Sequence, residues 1–160
     1  MDVVVNNAGT MVAGKIDDLD LDKMAQMIDV NVTAAFRMSY VACRHFKAAG
    51  AGHLINISSV LGTKVRETAG AYAGTKHAIE ALTEALRMEL SGTDVSVCCV
   101  EPGLVLTELH DAWEVHPRES LGIDPPLAPE DVARSVKFVL EQPPHVRIPR
   151  VMVLPGAHKI

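Results

Sequence analysis

Apolar residues along the chain follow two alternating patterns. Longer segments repeat apolar residues every three or four positions, which predicts helices over residues 21–49, 71–90 and 129–141. Short and nearly continuous apolar runs, typical of strands buried in a sheet, occur at DVVVN (2–6), HLINIS (53–58), DVSVCCV (94–100) and VMVL (151–154). This βαβαβαβ order predicts an α/β fold, in which a parallel sheet is covered by helices on both faces.

Residues that favour helix ends flank the predicted helices. Asp20 is a candidate N-cap for the first helix, and Gly50 is a candidate stop. Pro129 suits the first position of the third helix, which a Pro-Pro pair closes. Asn31 lies in the middle of the first helix, where Asn is mildly unfavourable, so we expect a functional bend at that position.

Small and polar residues follow the first three strands at their carboxyl ends. In a parallel sheet these ends meet at one edge, where α/β proteins bind their ligands. Taken singly, each turn has the ordinary composition of a strand-to-helix connection. Together they predict a polar open edge formed by Asn6-Asn7-Ala8-Gly9, Ser58-Ser59 and Glu101-Pro102-Gly103.

The stretch AYAGTK carries the most specific chemical signal. Tyr72 and Lys76 are four residues apart near the start of the second helix, so they lie on one face. An isolated pair of this kind usually belongs to an amphipathic surface helix. A phenol has an ordinary pKa of about 10, and a neighbouring ammonium is expected to lower it toward the range of a general acid or base. Ser59, thirteen residues upstream at the end of a strand, is placed to meet Tyr72 over one substrate oxygen.

Composition and charge narrow the possible function classes. The formal net charge is −5, and phosphate binding needs clustered Lys and Arg, so nucleic acid and anionic membranes are not expected partners. No apolar run is long enough to span a bilayer and the N-terminus has no signal-peptide pattern, which makes the cytoplasm the expected location. The three cysteines favour buried, reduced thiols, and no His/Cys spacing indicates a metal site.

With these motifs in this order, the chain resembles the short-chain dehydrogenase/reductase family over essentially its whole length. The family's intervals are present: 28 residues separate Asn31 from Ser59, and 13 separate Ser59 from Tyr72. Each motif alone is weak, whereas five in register are specific: NNAG at 6–9, Asn31 within DVNV, NISS-x-x-G at 56–62, Tyr72-x-x-x-Lys76 and PG-x-x-x-T at 102–107. The resemblance implies a Rossmann-like oxidoreductase that interconverts a secondary alcohol and a carbonyl with NADP or NAD.

The resemblance also implies roles for individual residues. Tyr72 would exchange the proton at the substrate oxygen, Lys76 would lower its pKa and bind the nicotinamide ribose, and Ser59 would orient the carbonyl. Ser58 is the alternative serine, but the family spacing and the alternation of strand side chains select Ser59. Asn31 would hold a water that links Lys76 to solvent. The cofactor cleft would be lined by Asn7, Ala8 and Gly9 on the adenosine side, and by Pro102, Gly103, Val105 and Thr107 around the nicotinamide and pyrophosphate.

The C-terminal third narrows the resemblance. PEDVARSVKFVLEQPPHVRIPRVMVLP is similar to the end of the 3-hydroxy-acid, serine and clavulanate dehydrogenase group, although it does not identify a substrate. The family places its substrate lid at about 108–127, where Trp113 either closes over substrate or packs at the edge of the fold. Arg66 precedes Tyr72 and could meet an acidic substrate, but a solvated surface arginine is the simpler interpretation.

The family's first strand and its TG-x-x-x-G-x-G turn, which receives the pyrophosphate, have no counterpart in the sequence. We therefore expect a single partial Rossmann-type domain over residues 1–160, N-terminally truncated to strands 4–7 of the family fold. Two functions stay open: an oxidoreductase whose sequence here lacks its N-terminal part, or a non-catalytic binding or oligomerisation module that binds NADPH very weakly. An exposed edge at Val3–Val5 and the apolar faces of the two long helices favour a homo-oligomer.

Overall fold

The computed structural model describes residues 1–110 and 115–159, which contain one four-stranded sheet. The strands are β1 (Val3–Asn6), β2 (Ala51–Ile57), β3 (Asp94–Pro102) and β4 (Arg150–Val153). The α-helices are α1 (Leu21–Ile28), α2 (Ala35–Ala49), α3 (Gly70–Glu89), α4 (Pro117–Ser120) and α5 (Pro129–Leu140). Shorter helical segments are a π-helix at Asp29–Ala34 and 3-10 turns at Val60–Gly62 and Glu108–His110.

All strand pairs of the sheet are parallel, and their spatial order is β1-β2-β3-β4. The register pairs Ile55 of β2 with Cys98 of β3, and Val100 of β3 with Val151 of β4. β3 is buried from Val95 to its end because it has a neighbour on each side. The predicted α/β fold with a parallel sheet is confirmed. Since the strands are parallel, their carboxyl ends open at one common edge.

Neighbouring side chains of the central strands face two separate cores. Leu54 packs with Phe46 of α2 and Leu86 of α3 on one side of the sheet. The next residue, Ile55, lies on the opposite face and packs with Val139 of α5. Because helices cover both faces, both sets of strand side chains are buried, which explains why the apolar runs are continuous instead of alternating.

The first long helical segment is interrupted at its centre. The Asp20 carboxylate caps α1 by accepting a hydrogen bond from Lys23 N at 2.9 Å, and Gly50 ends α2 with a left-handed φ of 89°. Between them the predicted continuous helix widens into the π-helix at Asp29–Ala34. Asn31 lies in this π-helix and is buried, so the irregularity expected at Asn31 is present. Such π-helical turns occur frequently at functional sites.

The other boundaries fall within two residues of the predicted ones. α3 begins at Gly70, and its Ile79 and Leu82 are buried as the helical spacing predicts. At the start of α5, the Asp131 carboxylate accepts a hydrogen bond from Ala128 N at 2.7 Å. The cysteines are free and buried, in agreement with the predicted reduced thiols.

The outer side of β1 is apolar and exposed. Within the described residues β1 pairs with β2 only. Val4 packs toward the core, whereas Val3 and Val5 are 38% and 43% exposed. The hydrophobic edge expected from the sequence is therefore present, and such an edge can pair with another chain. Among the helices of residues 1–110 and 115–159, none has the length and hydropathy of a membrane span.

Two glycines provide a matched test of the core on the α2 side. A Cβ on Gly52 of β2 would stand 2.2 Å from Cδ1 of Phe46, a ring that is fully buried. We expect Gly52→Ala to lower the free energy of unfolding by about 1–3 kcal/mol, because the ring must move out of its packed position. Gly74→Ala in α3 is the control, since a Cβ there meets open space; it should raise stability by about 0.5–1 kcal/mol. Urea denaturation measures both, and a Gly52→Ala variant as stable as wild type would contradict the packing.

Candidate active site

A cleft of about 1750 Å³ opens at the carboxyl ends of β1, β2 and β3. Pockets for a single small ligand are typically about 300–1,000 Å³, so this cleft has room for more than one bound group. The parallel sheet explains its position, because three strand ends and their turns meet there. The predicted site residues that line it are Asn7, Gly9, Ser59, Tyr72, Lys76, Pro102, Gly103, Val105 and Thr107.

Tyr72 and Ser59 are in contact in this cleft. Tyr72 lies in the first turn of α3 and is 7% exposed, and the Ser59 side chain is near enough to act on the phenol as a hydrogen-bonding neighbour. Ser59 Oγ also accepts a hydrogen bond from Leu61 N at 3.1 Å, which orients the hydroxyl at the end of β2. Ser58 Oγ is directed elsewhere, toward the carbonyl oxygen of Lys76 at 3.5 Å. Ser59 is thus the serine that contacts Tyr72.

The electrostatic setting of Tyr72 differs from the prediction. Burial raises the pKa of the phenol, while the hydrogen bond with Ser59 and the charge of Arg66 act in the opposite direction. The prediction that Lys76 lowers this pKa below its ordinary value is therefore wrong for this structure. Lys76 Nζ lies over the ring, 5.7 Å from the ring centroid, and the cost of desolvating the phenolate outweighs the favourable contacts.

Lys76 is a buried ammonium one helical turn after Tyr72, and only 6% of its surface is exposed. Its Nζ donates a hydrogen bond to the carbonyl oxygen of Ile57 at 3.0 Å, which ties α3 to the end of β2. Burial lowers the pKa of Lys76 to about 8, although nearby groups including Glu80 favour the charged form. Lys76 is therefore the member of this pair whose pKa lies closer to neutrality.

Asn31 lies behind the cleft and joins the turn after β1 to α3. Its Oδ1 accepts a hydrogen bond from Thr10 N at 2.9 Å, and its Nδ2 donates to Thr10 O at 2.8 Å. The same Nδ2 donates to Thr75 Oγ1 at 3.2 Å, and Thr75 directly precedes Lys76. These bonds hold the first strand's turn against the helix that carries Tyr72 and Lys76. The water relay that the family resemblance implies for Asn31 stays a prediction.

The turn after β1 borders the cleft through Asn7 and Gly9. A Cβ on Gly9 would stand 3.4 Å from Asn31 Oδ1 and 3.6 Å from Lys76 Nζ, so this backbone passes beside the buried ammonium. Ala8, between the two lining residues, is exposed and is not part of the cleft wall that the structure describes. Two of the three residues predicted for the adenosine side therefore lie in the wall.

The segment after β3 packs against the C-terminal residues of the chain, which also form part of the cleft wall. The sequence patterns did not predict this part of the wall. Gly103 N donates a hydrogen bond to Val153 O at 2.7 Å, which brings the segment after β4 alongside. A Cβ on Gly103 would stand 2.5 Å from His158 Nδ1 and 2.9 Å from Pro155 Cδ, so glycine permits this close approach. Residues 157–159 consequently line the cleft. The Pro-Gly pair at 155–156, directly after the last strand, was the available signal of a turn back toward the site.

Glu101 does not belong to the open polar edge where the sequence placed it. It is fully buried, and its carboxylate contacts Arg150 Nε at 2.5 Å, while Arg150 Nη2 lies 3.4 Å from Glu80. Burial raises the pKa of Glu101, and the neighbouring Glu80 carboxylate acts in the same direction. The cluster joins β3, β4 and α3, so it supports the packing beneath the cleft instead of lining it.

The predicted lid at 108–127 contributes several residues to the cleft wall. Its far end is anchored, because Leu106 N donates a hydrogen bond to Leu127 O at 2.8 Å and Leu127 N donates to Leu104 O at 2.9 Å. Trp113 falls outside the described residues, so its predicted contact with substrate stays a prediction. In residues 1–110 and 115–159, His, Cys, Asp and Glu side chains form no cluster that could hold a metal ion.

Arg66 is also part of the cleft wall. The simpler sequence interpretation, a solvated surface arginine, is wrong, because the side chain is half-buried and burial lowers its pKa. Its charge acts on both Tyr72 and His158. The cleft therefore carries a second cation near the phenol in addition to Lys76.

Comparison with known proteins identifies similar sequences. The family model described as short chain dehydrogenase matches residues 1–117. An uncharacterized oxidoreductase of Staphylococcus aureus (strain USA300) is 35% identical over 155 residues, which cover 97% of this chain and 64% of that protein. An uncharacterized oxidoreductase of Staphylococcus epidermidis is 32% identical over 155 residues, which cover 97% and 65% respectively. The chain thus spans slightly less than two thirds of the length of these relatives.

Solved structures of serine and alcohol dehydrogenases share the fold of this chain. Serine dehydrogenase from Escherichia coli superposes with a TM-score of 0.84 at 28% identity, over 100% of this chain and 66% of that one. The closed form of serine dehydrogenase complexed with NADP+ gives a TM-score of 0.88 at 27% identity, over 100% and 67%. An alcohol dehydrogenase from Thermococcus sibiricus complexed with 5-hydroxy-NADP gives 0.85 at 26% identity, over 100% and 65%.

The buried ammonium predicts a specific pH dependence of stability. Lys76 has a pKa of about 8 in the folded chain and about 10.5 in the unfolded one. Below pH 8 both states hold the proton, and burial of the charge destabilises the fold. Between pH 8 and 10.5 the unfolded state binds more protons, so the free energy of unfolding rises with pH. At about 1.4 kcal/mol per pKa unit, this rise is on the order of 3 kcal/mol.

Lys76→Met removes this titrating group, and Lys47→Met at the exposed end of α2 is the matched control. Urea denaturation of wild type and both variants at pH 7.5 and pH 10 measures the effect, because changes common to all three proteins cancel. We expect wild type and Lys47→Met to gain stability relative to Lys76→Met as the pH rises. An identical pH dependence of all three proteins would contradict the buried ammonium.

Proposed function

The chain belongs to the short-chain dehydrogenase family, and from that premise we propose that it serves hydride transfer between a nicotinamide cofactor, NADP or NAD, and a small molecule. In this proposal the small molecule carries a secondary alcohol or a carbonyl, and Tyr72 is the general acid or base. Its relatives include oxidoreductases, and serine dehydrogenase and alcohol dehydrogenase share its fold. Because the chain spans about 64% of the relatives' length, the activity of the whole protein is part of the proposal.

One observation supports the proposal most strongly: the buried Tyr72 phenol meets Ser59 in an open cleft beside the buried Lys76 ammonium. A buried phenol with a hydroxyl partner has few structural reasons to face a cleft of this size. Two neighbouring hydroxyls, such as those of Tyr72 and Ser59, can both form hydrogen bonds with one oxygen atom of a ligand. Carbonyl or alcohol chemistry at that oxygen is the simplest use of the arrangement.

The residues present fit the nicotinamide part of a dinucleotide. Gly9 leaves free the space beside Lys76 Nζ that a Cβ would occupy, and the ammonium has donors beyond the one used by Ile57 O. The cleft volume also allows a cofactor and a substrate together. Serine dehydrogenase binds NADP+, which favours NADP as the first cofactor to test. When bound, a nicotinamide cofactor supplies or accepts the hydride at the carbon atom of the reacting group.

The chain's own residues would handle the proton and the geometry. In reduction, the Tyr72 O–H donates its proton to the substrate oxygen as the carbon accepts a hydride; in oxidation, the phenolate accepts the proton. Ser59 donates a hydrogen bond to the same oxygen, which orients the carbonyl. Lys76 stabilises the phenolate that remains after proton donation, because opposite charges attract strongly in a desolvated cleft. Asn31 positions the turn at Thr10 against α3.

The proposal extends to location and assembly. We expect a cytoplasmic protein, since its three cysteines are free thiols. A homo-oligomer is the expected assembly, because α2 exposes Met38, Tyr40 and Val41 and β1 exposes Val3 and Val5. The lid at 108–127 would close over a small-molecule substrate. Nucleic acid and membranes are not proposed partners.

A second candidate function is a non-catalytic binding or oligomerisation module. The exposed apolar edge of β1 favours it, because such an edge can pair with another chain. This candidate predicts that the chain oligomerises and does not oxidise NADPH in the presence of a carbonyl compound.

The two tyrosines of the chain provide the test. We expect Tyr72→Phe to lower kcat for carbonyl reduction by about 10²–10⁴-fold, because the substrate oxygen loses its proton donor. Tyr40→Phe is the matched control, since Tyr40 lies exposed on α2, and it should leave kcat unchanged. NADPH oxidation followed by absorbance over a panel of ketones, keto acids and keto esters measures both. Equal rates for wild type and Tyr72→Phe would exclude Tyr72 as the proton donor, and no turnover by the wild-type chain would favour the second candidate.

A further inference from the structure

The loop between the 3-10 turn at Val60–Gly62 and α3 is tied to neighbouring backbone by hydrogen bonds. Thr68 has a left-handed φ of 67°, which is an outlier for a β-branched residue. Its carbonyl oxygen accepts a hydrogen bond from Gly14 N at 2.9 Å, and Arg66 O accepts one from Ala69 N at 3.1 Å. Strained backbone of this kind persists only where surrounding contacts impose it, and it concentrates at ligand sites. The side chain of Arg66 therefore leaves the loop from a defined position.

Arg66 differs from the other arginines of the chain, all of which lie within the described residues. Within those residues it has neither an ion-pair partner nor a side-chain hydrogen bond, although it is half-buried. The remaining arginines are exposed (Arg37, Arg44), bound to carbonyl oxygens (Arg147), or paired with carboxylates (Arg87, Arg118, Arg134, Arg150). A guanidinium that is partly removed from water without a counter-charge destabilises the fold, so a role in binding an anion is the simplest reason for its position.

Arg66 lies at the part of the cleft that contains the phenol. Its charge favours the ionised form of Tyr72 and disfavours protonation of His158, and all three side chains line the same cleft. Arg66 is separate from the turn at Gly9, which follows β1 and passes beside Lys76. An anion bound to Arg66 would thus belong to the molecule that reacts at Tyr72.

His158 offers a second unpartnered polar group at this place. Its Nδ1 is buried against Gly103 and, in the part of the chain that the structure describes, has no hydrogen-bond partner. Burial and the charge of Arg66 both lower the pKa of His158, so both disfavour a second positive charge on this ring. The ring lies between the Gly103 backbone and the Arg66 side of the cleft wall.

The overall charge of the cleft agrees with an anionic ligand. Its described wall contains one carboxylate side chain, Glu108, whereas the basic side chains are Lys64, Arg66, Lys76 and Lys159. The chain as a whole has a formal net charge of −5, so this concentration of positive charge is local. Local fields of this kind attract charged substrates to a cleft.

We infer that Arg66 binds a carboxylate group of the substrate while Tyr72 and Ser59 hold its reacting oxygen, so that the cleft selects keto acids and hydroxy acids over neutral ketones and alcohols. The planar guanidinium can form two parallel hydrogen bonds with a carboxylate, which fixes the direction of the substrate as well as its charge. This inference rests on the proposed function for the reaction at Tyr72. The binding of the carboxylate itself does not depend on turnover.

Levulinate and its methyl ester provide a matched pair of probes, because they share one ketone and differ in the carboxylate. In the NADPH assay we expect Arg66→Gln to lower kcat/KM for levulinate by about 10- to 100-fold, the usual effect of losing a charge-assisted hydrogen bond. The methyl ester should lose much less in this variant, because it has no carboxylate; any effect of the Arg66 charge on Tyr72 lowers both rates equally and cancels in their ratio. Turnover of the ester also shows that the variant is folded. Arg66→Lys should recover part of the lost kcat/KM for levulinate. Arg44→Gln on the exposed face of α2 should leave kcat/KM unchanged for both substrates.

Equal losses for levulinate and its ester in Arg66→Gln, or no loss for either, would overturn the inference. If no ketone is reduced by the wild-type chain, the proposed function fails and the carboxylate site is tested by binding instead. Saturation-transfer NMR of levulinate then compares wild type, Arg66→Gln and Arg44→Gln. Binding that is lost only in Arg66→Gln supports the site, whereas absence of binding to wild type, or equal binding to all three proteins, overturns it.

Discussion

A hydrogen bond between a buried lysine and a strand end is the constraint on which the rest of the candidate site depends. Lys76 Nζ donates to Ile57 O at 3.0 Å, so the N-terminal half of α3 is held against the carboxyl end of β2. Tyr72 lies one turn earlier on the same helix, and Ser59 follows Ile57 by two residues. One bond from an ammonium thus brings the phenol and the hydroxyl together. Its cost is desolvation, which lowers the pKa of Lys76 to about 8.

Asn31 extends this constraint to the first strand. Its side chain binds both backbone polar groups of Thr10 and the hydroxyl of Thr75, one residue before Lys76. The π-helix at Asp29–Ala34 is the local distortion that allows a buried amide in a long helical segment. The ends of two sheet strands and two helical segments therefore converge on a few buried polar groups, while apolar cores support the sheet on both faces. Because the polar groups lie at the strand ends and the apolar cores lie on the two faces of the sheet, the open polar cleft does not interrupt the packing of either core.

The sequence contained enough to predict the sheet, and most of the predicted site residues do line the cleft, because both follow from local patterns. Continuous apolar runs reveal strands buried on both faces, and a four-residue interval reveals one helix face. The missed features depend on contacts between distant segments. His158 reaches Gly103 only after β4 has paired with β3, and Glu101 is buried because the same pairing brings Arg150 to its carboxylate. The pKa of Tyr72 was predicted in the wrong direction, since the degree of burial is a property of the folded chain.

The central claim is that this cleft supports hydride transfer to a carbonyl carbon while the Tyr72 phenol donates a proton to the carbonyl oxygen. It is tested most directly by incubating the chain with a keto acid and NADPH that carries deuterium at both C4 positions of the nicotinamide, with the cofactor concentration raised until the rate no longer increases. Mass spectrometry of the hydroxy acid product then locates the label. The account predicts one deuterium on the carbinol carbon, formed at an initial rate that falls by about 10²–10⁴-fold in Tyr72→Phe. Absence of labelled product from the wild-type chain, or equal labelling by Tyr72→Phe, would contradict the claim.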